Sequence, residues 1–207
     1  MYRSDYLECA KKHKEACISA FAPYLNNADN AKSELLLELY YIIGYIVEGC
    51  VFYSTFIAGG FPPLRDVTDY DHNFTMATKI DFYDCRKSYL SKEHQDCRDQ
   101  LKSRKQLLYL TGHNFQSIVD NYLSSKAETM CWEIPYINKR VSIDCTAKDF
   151  IENWKPELRY STMSKGDFAL DNKDLIKKIT FENIKKLAET AFDIVDKTIE
   201  YVQPEDN

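Results

Sequence analysis

Glycine and proline are scarce in this chain, six of each in 207 residues, about half the share of an average globular protein. So few turn formers argue against a turn-rich β-sandwich or barrel and favour helices. A surplus of basic charge is also missing. With 27 Lys and Arg against 32 Asp and Glu, the net charge is −5, and the chain as a whole exerts no general attraction on nucleic acid or an anionic membrane. Seven cysteines are present, but no C-x-x-C pair or metal-type spacing occurs, and the odd number argues against a closed disulfide framework. Cys9, Cys17, Cys50, Cys85 and Cys97 fall in predicted helices and read as reduced thiols, some packed as small apolar side chains. A secretory leader is lacking too: the opening MYRSDYLECAKKHKEA is charged and already helical in pattern. A cytoplasmic protein is expected.

What the chain does have is one long apolar run, Leu35 to Ile57, LLLELYYIIGYIVEGCVFYSTFI. It is apolar on nearly every side, the pattern of a helix buried all round. Its length would suit a membrane span. However, Glu38 and Glu48 would each cost ~3 kcal/mol in hydrocarbon, tyrosines run through its middle, and no Lys/Arg cluster flanks it closely. The run therefore predicts the central helix of an all-α bundle, with no membrane involvement. Glu48, deep in that helix, then needs a cationic or hydrogen-bonding partner.

The other elements follow in order. Ser4 to Phe21 places Leu7, Ala10, Lys14, Cys17, Ile18 and Phe21 near one helical stripe. Pro23 and the NNADN run end that helix, and Ser33 is a candidate cap for the central one. AGGFPPLRDVTDYDHNF, after Ile57, is the strongest breaker cluster. Asp81 to Leu110 is highly charged and reads as mostly helical. Within it Arg86, Lys87, Lys92, Arg98, Lys102, Arg104 and Lys105 outnumber Asp84, Glu93, Asp96 and Asp99, giving either an anion or nucleic-acid surface or a solvated face laced with charge pairs. TGHNFQSIVDNYLSS predicts a helix capped by His113 or Asn114, with Phe115, Ile118, Val119 and Tyr122 on one side. WEIPYINKRVSIDC reads as a short β-hairpin or an extended loop. Asp149 to Trp154 predicts one or two helical turns stopped by Pro156. Phe181 to Val202 is a clean amphipathic helix.

Three of these pieces, in this order, resemble the HEPN domain family. YYIIGYIVEGCVF resembles its aromatic–Gly-Tyr-x-x-Glu-x-Cys/Ala signature, TGHNFQSIV its Gly-His-Asp/Asn helix start, and LRYST the Arg-Tyr segment before its last helix. The resemblance covers about Ser4–Ile57, Gln106–Leu123 and Pro156–Val202, with 61–104 and 127–154 as insertions in a single domain. It implies an up-and-down helical bundle that commonly dimerises, often a toxin or defence protein paired with a nucleotidyltransferase. Many members cleave RNA without a metal, using Arg-x4–6-His in the later helices. Here Arg159 is followed by Tyr160 and by no histidine, so the resemblance implies the branch with Gly-His-Asn and Arg-Tyr segments. For that branch, binding of a nucleotide, RNA or partner protein is expected rather than cleavage, with no cofactor. A ribonuclease toxin and a purely protein-binding helical domain are the alternatives.

Two site readings come from the residues themselves. Glu48, His113, Asn114, Arg159 and Tyr160 would make a phosphate site if they converge, since an Arg and a His beside a helix N-terminus suit an anion. Alternatively, Arg159 crosses to Glu48 and staples the last helix to the central one. The Arg-x6-His in the breaker loop, Arg65 to His72 with Asp66 after the arginine, is one candidate catalytic pair of the ribonuclease alternative and Arg159 with His113 the other, the histidine moving a proton and the arginine holding phosphoryl charge. Asp66, Asp69, Asp71 and His72 offer metal-type ligands, but their spacing fits no cation loop, and no metal is expected.

Overall fold

The computed structural model describes residues 2–60, 81–83, 107–109, 113, 115–166 and 171–202. Arg65, His72 and the aspartates beside them, Asn114, and the basic residues Arg86, Lys87, Lys92, Arg98, Lys102, Arg104 and Lys105 lie outside the described residues.

The chain begins with α1 (Arg3–Phe21), whose first turn is closed by the Asp5 carboxylate accepting the Tyr2 backbone N–H at 2.7 Å. Pro23 sits in the short 3-10 turn Ala22–Tyr24 that ends it, because proline has no N–H to continue the ladder. After a second 3-10 turn (Ala28–Asn30) comes α2 (Ser33–Ala58). Lys32 occupies the N-cap position and Ser33 is already helical, so the serine does not cap this helix through its side chain.

Helix α2 is the centre of the fold. Among the described residues it is the one helix long and apolar enough to cross a membrane, and 72% of its most apolar window is buried within the fold. Its apolarity is thus met by neighbours on most sides, with Tyr41, Ile42 and Tyr45 only partly covered. Helix α1 runs antiparallel along it: the Tyr6 ring packs on Phe52 at 5.3 Å and on Phe56 at 5.7 Å, while His13, two turns on, meets Tyr45. Between these contacts the helices come close at Gly49, where a Cβ would stand 2.7 Å from the Tyr6 carbonyl oxygen. Only glycine lets the backbones approach so nearly. Of the stripe expected on α1, Leu7, Ala10, Cys17 and Phe21 are buried, but Ile18 is exposed. Lys14 is half-buried and reaches across to the Asp196 carboxylate and the Phe192 carbonyl.

Two short strands, β1 (Asp81–Tyr83) and β2 (Leu107–Tyr109), pair in parallel, with Asp81 opposite Leu107. These two ends of the segment Asp81–Leu110, which reads as mostly helical, are extended. Phe82, Tyr83 and Tyr109 have strand preference, and the 84–106 stretch is long enough for the connection a parallel pair needs. Next, α3 (Phe115–Ile118) continues through a π-helical turn (Val119–Leu123) into α4 (Ser124–Thr129). Phe115, Ile118 and Val119 are buried as the spacing predicted.

The stretch after α4 is a turn-rich loop and not a hairpin. Pro135 has no N–H to give a ladder, and Tyr136 takes the left-handed conformation at φ 65, which turns the chain. The β-branched residues go into the core instead, Ile134 and Ile137 being fully buried. Asn138 fixes the loop: its amide donates to the Trp132 carbonyl at 2.8 Å, and its side-chain oxygen accepts from Arg140 N at 3.0 Å.

Helix α5 (Cys145–Glu152) starts a turn earlier than the sequence suggested, because the Asp144 carboxylate accepts from Thr146 N and Ala147 N, a standard N-cap. Tyr40 of α2 donates its hydroxyl to the Phe150 carbonyl at 2.7 Å and so pins α5 to the centre. A 3-10 turn (Pro156–Tyr160), α6 (Lys173–Lys177) and α7 (Phe181–Val202) complete the all-α fold. Helix α7 buries Ile184, Leu187, Ala191, Ile194 and Val195 against α2 and α5.

The described cysteines are all free thiols. Burial pushes Cys17 and Cys50 up to about 12, and Cys9 is raised as well, by burial first. Since the thiolate is the reacting form, iodoacetamide at pH 8 should modify the exposed Cys131 and Cys145 first and Cys9 more slowly. Cys17 and Cys50 should react only after unfolding. Peptide mapping showing early modification of Cys17 or Cys50 would contradict this packing.

Candidate functional site

At the middle of α2 three side chains one turn apart, Tyr41, Tyr45 and Glu48, face the same way. Each meets a different element. The Glu48 carboxylate is buried, and its Oε1 lies 2.9 Å from Nδ1 of His113, just ahead of α3. An ionised carboxylate accepts, so Nδ1 carries the proton and the far nitrogen, Nε2, is directed away from the pair. The His113 side chain is 42% exposed. The partner that the buried glutamate demanded is therefore His113, and the staple from Arg159 to Glu48 is not formed.

Arg159, in the turn Pro156–Tyr160, goes elsewhere. Its guanidinium is exposed and stacks 4.5 Å over the Tyr160 ring, with Tyr41 and Tyr45 among its electrostatic neighbours. That ring is 73% exposed, a large aromatic face left open to solvent. The Tyr41 hydroxyl donates to the Tyr45 hydroxyl at 3.1 Å. Tyr45 is held well above the usual tyrosine range, by burial first and then by its bond to Tyr41 and the nearby Glu48 charge, with Arg159 opposing. It stays a neutral phenol at physiological pH.

The wall behind these residues is Trp154, which sequence reasoning did not single out. Its indole N–H donates to the Tyr41 carbonyl at 3.1 Å. Its ring meets Tyr45 at 5.1 Å, His113 at 5.9 Å and Phe115 at 5.7 Å. The indole lies directly on Gly44, where any Cβ would overlap its Nε1, Cε2 and Cδ1 atoms. Gly44 was the available signal, since a glycine inside an apolar helix costs about 1 kcal/mol against alanine and calls for a close neighbour. His13 lies outside the stripe expected on α1 and was not singled out by the sequence. It packs on Tyr45 at 6.0 Å, and burial lowers it from the ordinary histidine range.

Of the sequence-derived candidates, Glu48, His113, Arg159 and Tyr160 thus gather around Tyr41 and Tyr45. Among the described residues no group of three His, Cys, Asp or Glu side chains could hold a metal ion. An Arg stacked on an open aromatic ring suits a ligand with an anionic and a flat apolar part. No family model, curated protein or solved structure matches the chain.

Proposed function

We propose that this chain is a HEPN-like helical binding module for a nucleotide or RNA, with Arg159, Tyr160 and His113 as its contact residues. The observation that carries the reading is the Arg159 guanidinium held over an open Tyr160 ring, because a base can stack on such a ring while the cation takes the phosphate. The family resemblance adds a homodimer and a nucleotidyltransferase-type partner, in a defence or toxin–antitoxin setting, to the proposal. Calorimetry with AMP tests the site: Arg159→Gln and Tyr160→Ala should each weaken binding by about tenfold or more. Wild-type affinity in both variants would remove the assignment.

A second reading, metal-independent RNA cleavage, is favoured by the Glu48–His113 pair. A carboxylate-held imidazole can accept a proton from a ribose hydroxyl while an arginine holds phosphoryl charge. Incubating mixed RNA with the protein in EDTA, wild type against His113→Gln, separates the two: cleavage that disappears in the variant would establish the enzyme.

A further inference from the structure

Arg159 and Tyr160 stand between two anchors. The first is Leu158, buried in the core immediately before the arginine. The second is Met163, whose side chain packs against the core and whose backbone is held by a distant part of the chain. Glu34, in the first turn of α2, accepts the Met163 N–H with both carboxylate oxygens, at 3.2 and 3.3 Å. Between and just beyond these anchors the chain closes on itself. Ser161 N donates to the Leu158 carbonyl at 3.0 Å, Thr162 N to the Lys165 carbonyl at 2.8 Å, and Lys165 N to the Thr162 hydroxyl at 3.0 Å. Gly166, at φ 97, folds back so closely that an added Cβ would stand 2.8 Å from the Ser161 Cα. Residues 158–166 are thus one compact unit, and the Glu34 carboxylate ties its far end to α2.

We infer that Glu34 is a positioning residue for this site, acting through Met163 to hold the turn that presents Arg159 and Tyr160. This rests on the nucleotide reading above and adds a residue to it. A ligand that needs the turn in one place binds more weakly the less often the turn is there, so loosening the tie is read as lost affinity. Charge alone predicts the opposite sign. Removing an acid from beside an anion-binding arginine should strengthen its hold on a phosphate.

Calorimetry with AMP and amide hydrogen exchange test this on the full chain. Glu34→Ala removes the acceptor. It should weaken AMP binding about fivefold, less than a buried charge-assisted bond would give because the carboxylate is exposed, and the Met163 amide should exchange faster. Glu34→Gln keeps a carbonyl oxygen at the same reach and should bind AMP within about twofold of wild type. Glu38→Ala takes the same charge from the same face of α2 one turn on and should not weaken binding. A Glu34→Ala protein with wild-type affinity or unchanged Met163 exchange overturns the positioning role and leaves the nucleotide reading intact. So does a Glu34→Gln or Glu38→Ala protein as weak as Glu34→Ala. A wild type that does not bind AMP overturns both.

Discussion

Gly44→Ala should lower the unfolding free energy by about 1–3 kcal/mol, the range of overpacking in a filled core. The sign is opposite to expectation for a helix interior, where the same change normally stabilises by up to about 1 kcal/mol. The reversal comes from Trp154, 2% exposed and seated on the glycine. The indole cannot slide away, because its N–H is bonded to the Tyr41 carbonyl and its faces are packed by Tyr45, His113 and Phe115. Gly60 makes the contrast: among the described residues nothing lies within 4 Å of an added Cβ there, and its left-handed backbone at φ 71 is what resists substitution. Gly60→Ala should therefore stay within about 1–2 kcal/mol. Urea titration of both variants decides the point, and a Gly44→Ala protein as stable as the wild type would mean that Trp154 does not sit where the fold places it.

The central and terminal helices were legible because their patterns are strong. Leu35–Ile57 is apolar on nearly all sides, and Phe181–Val202 has one apolar stripe; both appear as helices with those faces mostly buried. That Glu48 required a partner could be read from its place in the apolar run, but which partner could not. His113 and Arg159 are both distant in sequence, and the choice depends on how α3 and the turn Pro156–Tyr160 dock on α2. Of the two readings of WEIPYINKRVSIDC, the loop holds and the hairpin does not: at Pro135 and Tyr136 backbone conformation overrode the strand preference of the neighbouring isoleucines. Helix α5 was placed late because Asp144 was grouped with the hairpin-or-loop stretch before it and not taken as a cap. Tertiary docking also made His13 part of the site, since a residue outside the apolar stripe of α1 becomes a site residue only once α1 lies on Tyr45.

Trp154→Ala should destabilise by about 3–5 kcal/mol, as expected for removing a large aromatic from a packed interior. Its more informative use is in combination with Gly44→Ala. If the glycine exists to seat the indole, removing the indole also removes the clash, and the alanine at position 44 then fills part of the space left behind. The double variant should be little worse than Trp154→Ala alone, so the two changes should fall short of additivity by about 1–3 kcal/mol. Strict additivity would separate the two residues and leave the glycine unexplained. The same wall orients Tyr41 and Tyr45, electrostatic neighbours of Arg159, so binding should report it too. Trp154→Phe keeps a ring against Tyr45 and His113 and loses only the donor to Tyr41, so it should retain most of the affinity for AMP. A Trp154→Ala protein that is still folded should lose far more, because Tyr41 and Tyr45 then have nothing behind them. Equal affinity in the two variants would show that Arg159 and Tyr160 hold their ligand without the wall.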